Sequence, residues 1–210
     1  MFLSWSKKGI ENRLLGSALA VLALAAATHL ACAQNQTPKT SIPEIARIGG
    51  VQIGYSTQED LAGKWGKGKT LVGGHSNSGR LWRIKGTHWR VNTDGFDYSE
   101  RGLVVDGLSL DTYPDAPDDI PYAKLSKADF SWLGGILPGM SRTKVLQILK
   151  RRSLRVTSTK EGCEISERGF SPLTSVITPL RIWQVTLTFA KELLIRIDLS
   201  AAPDHSSPSL

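Results

Sequence analysis

Residues 63–70 of this 210-residue chain match a nucleotide-binding pattern. They read Gly-Lys-Trp-Gly-Lys-Gly-Lys-Thr, the spacing of a P-loop, in which backbone N–H groups hold phosphates and a lysine, here Lys69, reaches the terminal phosphate. A P-loop requires a strand before it and a helix after it. The order here is reversed, because a helix is predicted to begin at Ser56 and turn-forming residues follow Thr70. We therefore interpret the segment as a glycine-rich helix exit with solvated lysines.

Residues 74–78 come close to a second catalytic pattern. Gly74-His-Ser-Asn-Ser78 differs from the nucleophile elbow Gly-x-Ser-x-Gly in its last position. An elbow is followed directly by a helix, whereas residues 80–85 predict a strand. A hairpin loop rich in glycine and serine accounts for the segment, and a small hydrolase that uses Ser76 and His75 is the alternative from the enzyme class. Candidates for the base and for the residue that orients it are His75, His88 and Asp106.

Cysteine and acidic side chains offer two further candidates for chemistry. Cys163 alternates with Ile165 on a predicted strand, which favours a buried structural thiol over a nucleophile. Asp115, Asp118 and Asp119 could attract Ca²⁺, but they lack the spaced pattern of a calcium loop. The sequence therefore predicts no catalytic residue, no cofactor and no metal site.

Residues 1–33 have the parts of a secretory signal peptide. Basic side chains precede an apolar run at residues 14–27, and the small-x-small pattern Ala31-Cys32-Ala33 stands before Gln34. Cleavage there would leave Cys163 as the one cysteine, so an internal disulfide is excluded.

Two alternatives to cleavage stay open. Residues 14–33 reach the roughly 20 residues that span a bilayer and could remain as an anchor. Leu30-Ala31-Cys32 faintly resembles a lipobox, although His29 stands where an aliphatic residue is usual. We expect an exported protein, periplasmic or secreted, with tethering through residues 14–33 or Cys32 as the alternatives.

Composition divides the rest of the chain into two units. Residues 111–121 combine three prolines with four acids, which disfavours both helix and strand. The polar, proline-containing ends read as tails. The predicted organisation is a signal peptide at 1–33, a disordered N-terminal tail at 34–47, a first α+β unit at 48–110, an acidic, proline-rich linker at 111–131, a second α+β unit at 132–200 and a disordered tail at 201–210.

The two units open with the same motif. Residues 49–56 and 134–141 share Gly-Gly-apolar-x-x-Gly-x-Ser, and each serine is placed to cap a helix. Alternation then predicts strands, most clearly the hairpin at 183–199. A competing alignment matches 94–102 with 161–169, and we prefer the first because it keeps helix and hairpin in register. The fold class predicted is α+β, with two related units, each a short helix or helix pair packed on an antiparallel sheet.

Residues 135–149, followed by strands of the form Trp-x-Val-x-Leu-x-Phe and Leu-x-x-Ile-x-Leu, resemble the SmpA/OmlA group. That group includes outer-membrane assembly lipoproteins and, as a tandem repeat of the same unit, the β-lactamase inhibitory protein. The resemblance covers 133–199 and, less specifically, 48–110, where Gly63, Gly66 and Gly68 depart from a continuous helix. It implies one or two helices on an antiparallel sheet and a function in binding proteins without catalysis. No contact residue carries over.

Positive charge is concentrated in the second unit. The whole chain carries a formal +7, but residues 34–131 are neutral and residues 132–210 carry +5. Basic residues in a last helical turn also offset the helix dipole. Export argues against nucleic acid and leaves an acidic protein surface or an anionic membrane surface as partner. We expect a non-catalytic protein-binding module of the bacterial cell envelope or exterior, with a secreted hydrolase inhibitor as the alternative, that binds through the exposed sheet face or through Lys144, Lys150, Arg151, Arg152 and Arg155.

Overall fold

A large antiparallel sheet dominates the structure. The computed structural model describes residues 42–72, 78–98, 101–114, 118–170 and 180–204. Within those ranges the fold is α+β, as predicted, with two α-helices, α1 (Gln58–Trp65) and α2 (Arg142–Arg151), and two 3₁₀ turns at Glu44–Ala46 and Lys127–Phe130. The strands are β1 (Arg47–Ile48), β2 (Val51–Gln52), β3 (Lys69–Val72), β4 (Ser78–Arg83), β5 (Trp89–Tyr98), β6 (Gly102–Thr112), β7 (Thr157–Ser158), β8 (Gly162–Phe170), β9 (Leu180–Ala190) and β10 (Leu193–Pro203).

Eight of these strands form one sheet in the order β3-β4-β5-β6-β10-β9-β8-β7, and β1 pairs with β2 separately. All of the ladders are antiparallel. The strands that follow α1 make one half of the large sheet, and those that follow α2 make the other half. The two halves meet where β6 pairs with β10, with Leu110 opposite Ile197 and Leu108 opposite Leu199.

Both helices begin at a side-chain cap. Thr57 caps α1: its hydroxyl accepts from Asp60 N at 3.1 Å, and the Asp60 carboxylate accepts from Thr57 N at 2.8 Å. The cap predicted at Ser56 is therefore wrong by one residue. The Ser56 hydroxyl instead accepts from Gln52 N at 3.0 Å and closes the preceding turn. Ser141 caps α2 as predicted.

The sheet contains two long hairpins, one of which is the hairpin predicted at residues 183–199. β9 and β10 are joined by Lys191 and Glu192, both with positive φ, which matches the twist of a tight hairpin. β5 and β6 form the second hairpin, and their register shifts between Asp94 and Gly95. Asp106 is the extra residue of β6 at that bulge.

Apolar side chains from one face of the sheet, from both helices and from the N-terminal segment form a single core. Four tryptophans are fully or almost fully buried in it, and each indole N–H donates to a backbone carbonyl. The hydrogen bonds run from Trp65 to Gly49 O at 2.8 Å, from Trp82 to Gly66 O at 3.0 Å, from Trp132 to Ile45 O at 2.9 Å and from Trp183 to Ile53 O at 2.8 Å.

The core extends beyond the boundaries expected for the two units. Ile42 and Ile45 are buried although they lie in the segment assigned to a tail, and β10 runs on to Pro203. In the segment assigned to a linker, Ile120 and Phe130 are buried. Arg83 N donates to Pro121 O at 2.9 Å, so part of that segment is hydrogen-bonded to the last residue of β4.

Candidate binding surfaces

The second face of the large sheet, called here the polar face, is lined by side chains that retain contact with solvent. Alternate residues of a strand point to opposite faces, so the strands that supply the core also supply this surface. Three rows cross it. They are Arg83-Arg90-Asp111-Arg196-Thr188, Asn92-Ser109-Asp198-Thr186-Glu164 and Asp94-Gly107-Ser200-Gln184-Ser166.

Arg90 and Asp111 form the best-defined ion pair of this face. Arg90 Nη2 lies 2.8 Å from Asp111 Oδ2, and Nε lies 3.2 Å from Oδ1, so the contact is bidentate. The guanidinium also lies 4.0 Å from the centre of the Tyr113 ring. The hydrogen bonds that Arg90 donates to Asp111 raise the pKa of Arg90, against the opposing effect of burial. This arginine is already engaged by its neighbours and is not available to a free anion.

Every basic side chain that the described strands place on the polar face has an acidic partner within reach. Arg83 Nη1 lies 3.1 Å from Asp118 Oδ1, and the Arg83 guanidinium lies 4.4 Å from the centre of the Tyr122 ring. The remaining pairs are Lys69 with Asp119, Arg168 with Asp204 and Arg196 with Asp198. Positive charge on this face is therefore locally neutralised.

Asp94 contrasts with these paired groups. It is exposed, and it makes no hydrogen bond or ion pair with any described residue. Glycines flank it on both neighbouring strands. A Cβ atom built at Gly79 would lie 3.4 Å from Asp94 Oδ1, and one built at Gly107 would lie 3.4 Å from Oδ2. The carboxylate therefore lies between two positions that carry no side chain.

Two further polar atoms of this face lack partners. Asn92 lies two residues before Asp94 on β5 and opposite Ser109 on β6. Asn92 Oδ1 and Ser109 Oγ are shielded from solvent and form no hydrogen bond. A shielded polar atom without a partner costs about 1–3 kcal/mol. Hydrogen-bonding capacity is therefore unused beside Asp94.

The basic residues predicted to bind a partner lie on α2 and just after it. Lys144, Lys150, Arg151 and Arg155 are exposed, whereas Arg152 has structural contacts. Its Nη2 donates to Leu133 O at 2.8 Å, and its other terminal nitrogen pairs with Glu44. The structure thus leaves four of the five predicted side chains free for a partner and uses Arg152 to tie the helix exit to the N-terminal segment.

Among the residues that the structure describes, the other sequence candidates for chemistry do not come together. Residues 63–70 run from the end of α1 into β3, which is the order opposite to a P-loop. His75 and Ser76 lie outside the described residues. Tyr113 N donates to His88 O, so His88 lies about seven residues along β6 from Asp106, a separation of roughly 20 Å at the strand rise.

Cys163 is buried on the core face, as the alternation predicts, and burial raises the pKa of its thiol. Within the described residues no cluster of three or more His, Cys, Asp or Glu side chains could hold a metal ion.

A hollow of about 280 Å³ lies beside the turn between β1 and β2. It is lined by Gly49, Gly50, Lys64, Leu125 and Asp129. Lys64 donates to Gly50 O, and hydrogen bonds from Ser126 lower the pKa of Asp129. Both charged groups of the hollow are therefore already used in local structure.

No family model, curated protein or solved structure matches the chain. None of the helices in the described ranges combines the length and the apolar character needed to cross a membrane.

The sequence predicted an exposed sheet face but named none of its residues. The signal was present in β5, where Arg90, Asn92 and Asp94 occupy alternate polar positions, and in Gly107, a glycine inside a strand pattern. Which strands bring these residues together depends on the sheet order, and alternation within one strand carries no information about its neighbours.

Proposed function

We propose that this chain is an exported, non-catalytic protein-binding module of the bacterial cell envelope or exterior, and that the polar face is its principal binding surface. The observation that carries the proposal is the difference between the side chains on the two faces of the sheet. One face is filled with apolar side chains, and the other presents ordered polar rows to solvent across β4, β5, β6, β10, β9 and β8. A wide surface of polar side chains on a sheet held rigid by its opposite face suits recognition of a protein partner.

We further propose that the fold consists of two related units. The backbone geometry that joins each opening motif to the last strand of its own half supports this. Gly54 N donates to Val105 O at 2.7 Å, and 85 residues later Gly139 N donates to Leu194 O at 2.6 Å. The two glycines have φ of 82° and 87°. The sheet order, with β6 and β10 meeting at the centre, is the one expected of two units that pair through their last strands.

The resemblance to the SmpA/OmlA group agrees with this proposal in fold class and in the absence of a predicted catalytic residue. The tandem member of that group has the same number of units as we propose here. Export rests on the signal-peptide pattern of residues 1–33. Sequencing the N-terminus of the protein recovered from a bacterial periplasm would test export, since residue 34 is expected first.

Site-specific photocross-linking tests the binding surface. A photoreactive amino acid at Thr186, in the middle of the polar face, should cross-link a partner in cells that export the chain. The same group at Thr143, an exposed position on α2, is the matched control and should give no product of that size. Cross-links at Thr143 but not at Thr186 would contradict the proposal.

The basic helix exit is the second surface to test. Charge reversal of Lys150, Arg151 and Arg155 removes its exposed charge and leaves the pair between Arg152 and Glu44 intact. We expect the Thr186 cross-link to survive this change. Loss of the cross-link would indicate that the partner binds at the helix exit.

A further inference from the structure

Asp94 is an uncompensated charge on a face where positive side chains are neutralised in place. Lys69, Arg83, Arg90, Arg168 and Arg196 each have a carboxylate partner there. Asp94 has no cation among the described residues and is exposed. The charge on the polar face that lacks a partner is therefore negative, although the chain as a whole is positive.

The two glycines beside Asp94 differ in the reason for which a side chain is absent. A Cβ atom at Gly79 would lie 2.2 Å from Thr93 O, so the backbone alone requires glycine there. The atoms nearest to a Cβ atom at Gly107 would belong to the side chain of Asp94, the closest of them at 3.4 Å. Glycine inside a strand weakens it and often marks a place where a ligand approaches the backbone closely. Gly107 thus leaves open the surface directly beside the carboxylate.

Unused acceptors adjoin this open surface. Asn92 and Ser109 are neighbours across the strands and lie two residues from Asp94 and Gly107 along them, a distance of roughly 7 Å. Asn92 Oδ1 and Ser109 Oγ have no donor. Both residues are partly exposed, so rotation of their side chains can turn these atoms toward a bound group.

We propose that Asp94, Gly107, Asn92 and Ser109 form a slot on the polar face that receives an arginine side chain of a protein partner. The proposal rests on the proposed binding function and adds the chemistry of the partner. A guanidinium is planar, so it can lie flat over Gly107. Its five N–H donors match the two carboxylate oxygens and the two unused acceptors, whereas an ammonium is a point charge with three donors.

The nearby carboxyl of Asp106 agrees with this assignment. Burial raises its pKa to about 6, and the charge of Asp94 contributes to the increase. A guanidinium bound at Asp94 would offset the charge of Asp94 and so lower the pKa of Asp106.

Titration of the full 210-residue chain with three short peptides tests the slot. The peptides are acetyl-Gly-Arg-Gly-amide and its lysine and citrulline counterparts, and citrulline keeps the shape of arginine without its charge. NMR shifts of the Asp94 and Gly107 amides report binding. We expect saturable shifts with the arginine peptide, weaker binding of lysine and none of citrulline.

Three variants give the fold-changes. Asp94→Asn should weaken binding of the arginine peptide about threefold to fivefold, the size of a partly exposed ion pair. Gly107→Ala should weaken it while the charge is retained. Glu164→Gln removes another carboxylate of the same face, one without flanking glycines, and should leave binding unchanged.

Equal binding of the arginine and citrulline peptides, equal losses in Asp94→Asn and Glu164→Gln, or no binding to the wild-type chain would overturn the slot. None of these results affects the Thr186 cross-link, so the slot and the binding function can fail separately. A Gly107→Ala variant whose amide spectrum remains native-like confirms that its loss of binding is local.

Discussion

The two faces of the eight-stranded sheet are built from alternate residues of the same strands, yet they satisfy polar groups in different ways. On the core face the indole N–H groups of Trp82 and Trp183 each donate to a backbone carbonyl, so no side-chain partner is needed. On the polar face ion pairs link neighbouring strands and edge segments. Burial of apolar side chains therefore stabilises the core face, whereas ion pairs order the polar face and leave Asp94 without a partner among the described residues.

The largest expected effect is at Trp183, which is 1% exposed and donates to Ile53 O. Trp183→Ala should lower the free energy of unfolding by about 3–5 kcal/mol, because it leaves a cavity and an unpaired carbonyl. Gln184→Ala, on the other face of the same strand, should change it by no more than about 0.5 kcal/mol. Urea denaturation measures both. Similar losses in the two variants would remove the distinction between the faces.

Asp106, at the bulge of β6, should make stability depend on pH. Burial raises its pKa from 3.8 to about 6, so the folded state holds the proton more tightly than the unfolded state. The stabilisation is fully present below about pH 4 and is lost as the pH rises through 6. The shift corresponds to at most about 3 kcal/mol.

The free energy of unfolding of Asp106→Asn, measured relative to wild type at the same pH, should therefore be higher at pH 7 than at pH 4. Denaturation midpoints across that range measure the difference. A constant difference between variant and wild type would show that Asp106 titrates at its ordinary value in the folded protein.

The smallest effects concern the ion pairs of the polar face. The pair between Arg90 and Asp111 has side-chain exposures of 26% and 12%, whereas Arg196 and Asp198 have 49% and 32%. A double-mutant cycle should give a coupling of about 1 kcal/mol for the first pair and no more than about 0.3 kcal/mol for the second. A coupling for Arg196 and Asp198 as large as that for Arg90 and Asp111 would contradict the role assigned to burial.

Local structure was predictable where a few neighbouring residues decide it. Ser141 followed by apolar residues at helical spacing predicts α2, and the alternation of residues 183–199 predicts the β9–β10 hairpin. The cap of α1 was misplaced by one residue because Ser56 and Thr57 have equivalent hydroxyls. Only the turn that leads to Gln52 N decides between them.

Composition alone was a poor guide to burial in segments rich in acidic residues and prolines. Residues 111–131 contain four acids and three prolines within their first half, yet Ile120, Ala123 and Phe130 are buried. A few apolar residues in such a segment suffice to dock it once a hydrophobic surface exists nearby. That surface is formed by the sheet and helices, and composition carries no information about it.

Periodicity and capping act over a few residues, so the sequence alone predicts the α+β class, the two helices, the β9–β10 hairpin and the burial of Cys163. It takes the folded chain to show that β6 meets β10, that Arg152 pairs with Glu44, and that Asp94 lies between Gly79 and Gly107. These contacts join residues far apart in the chain. Their register is set by the packing of a shared core, whose energy depends on all of the strands together.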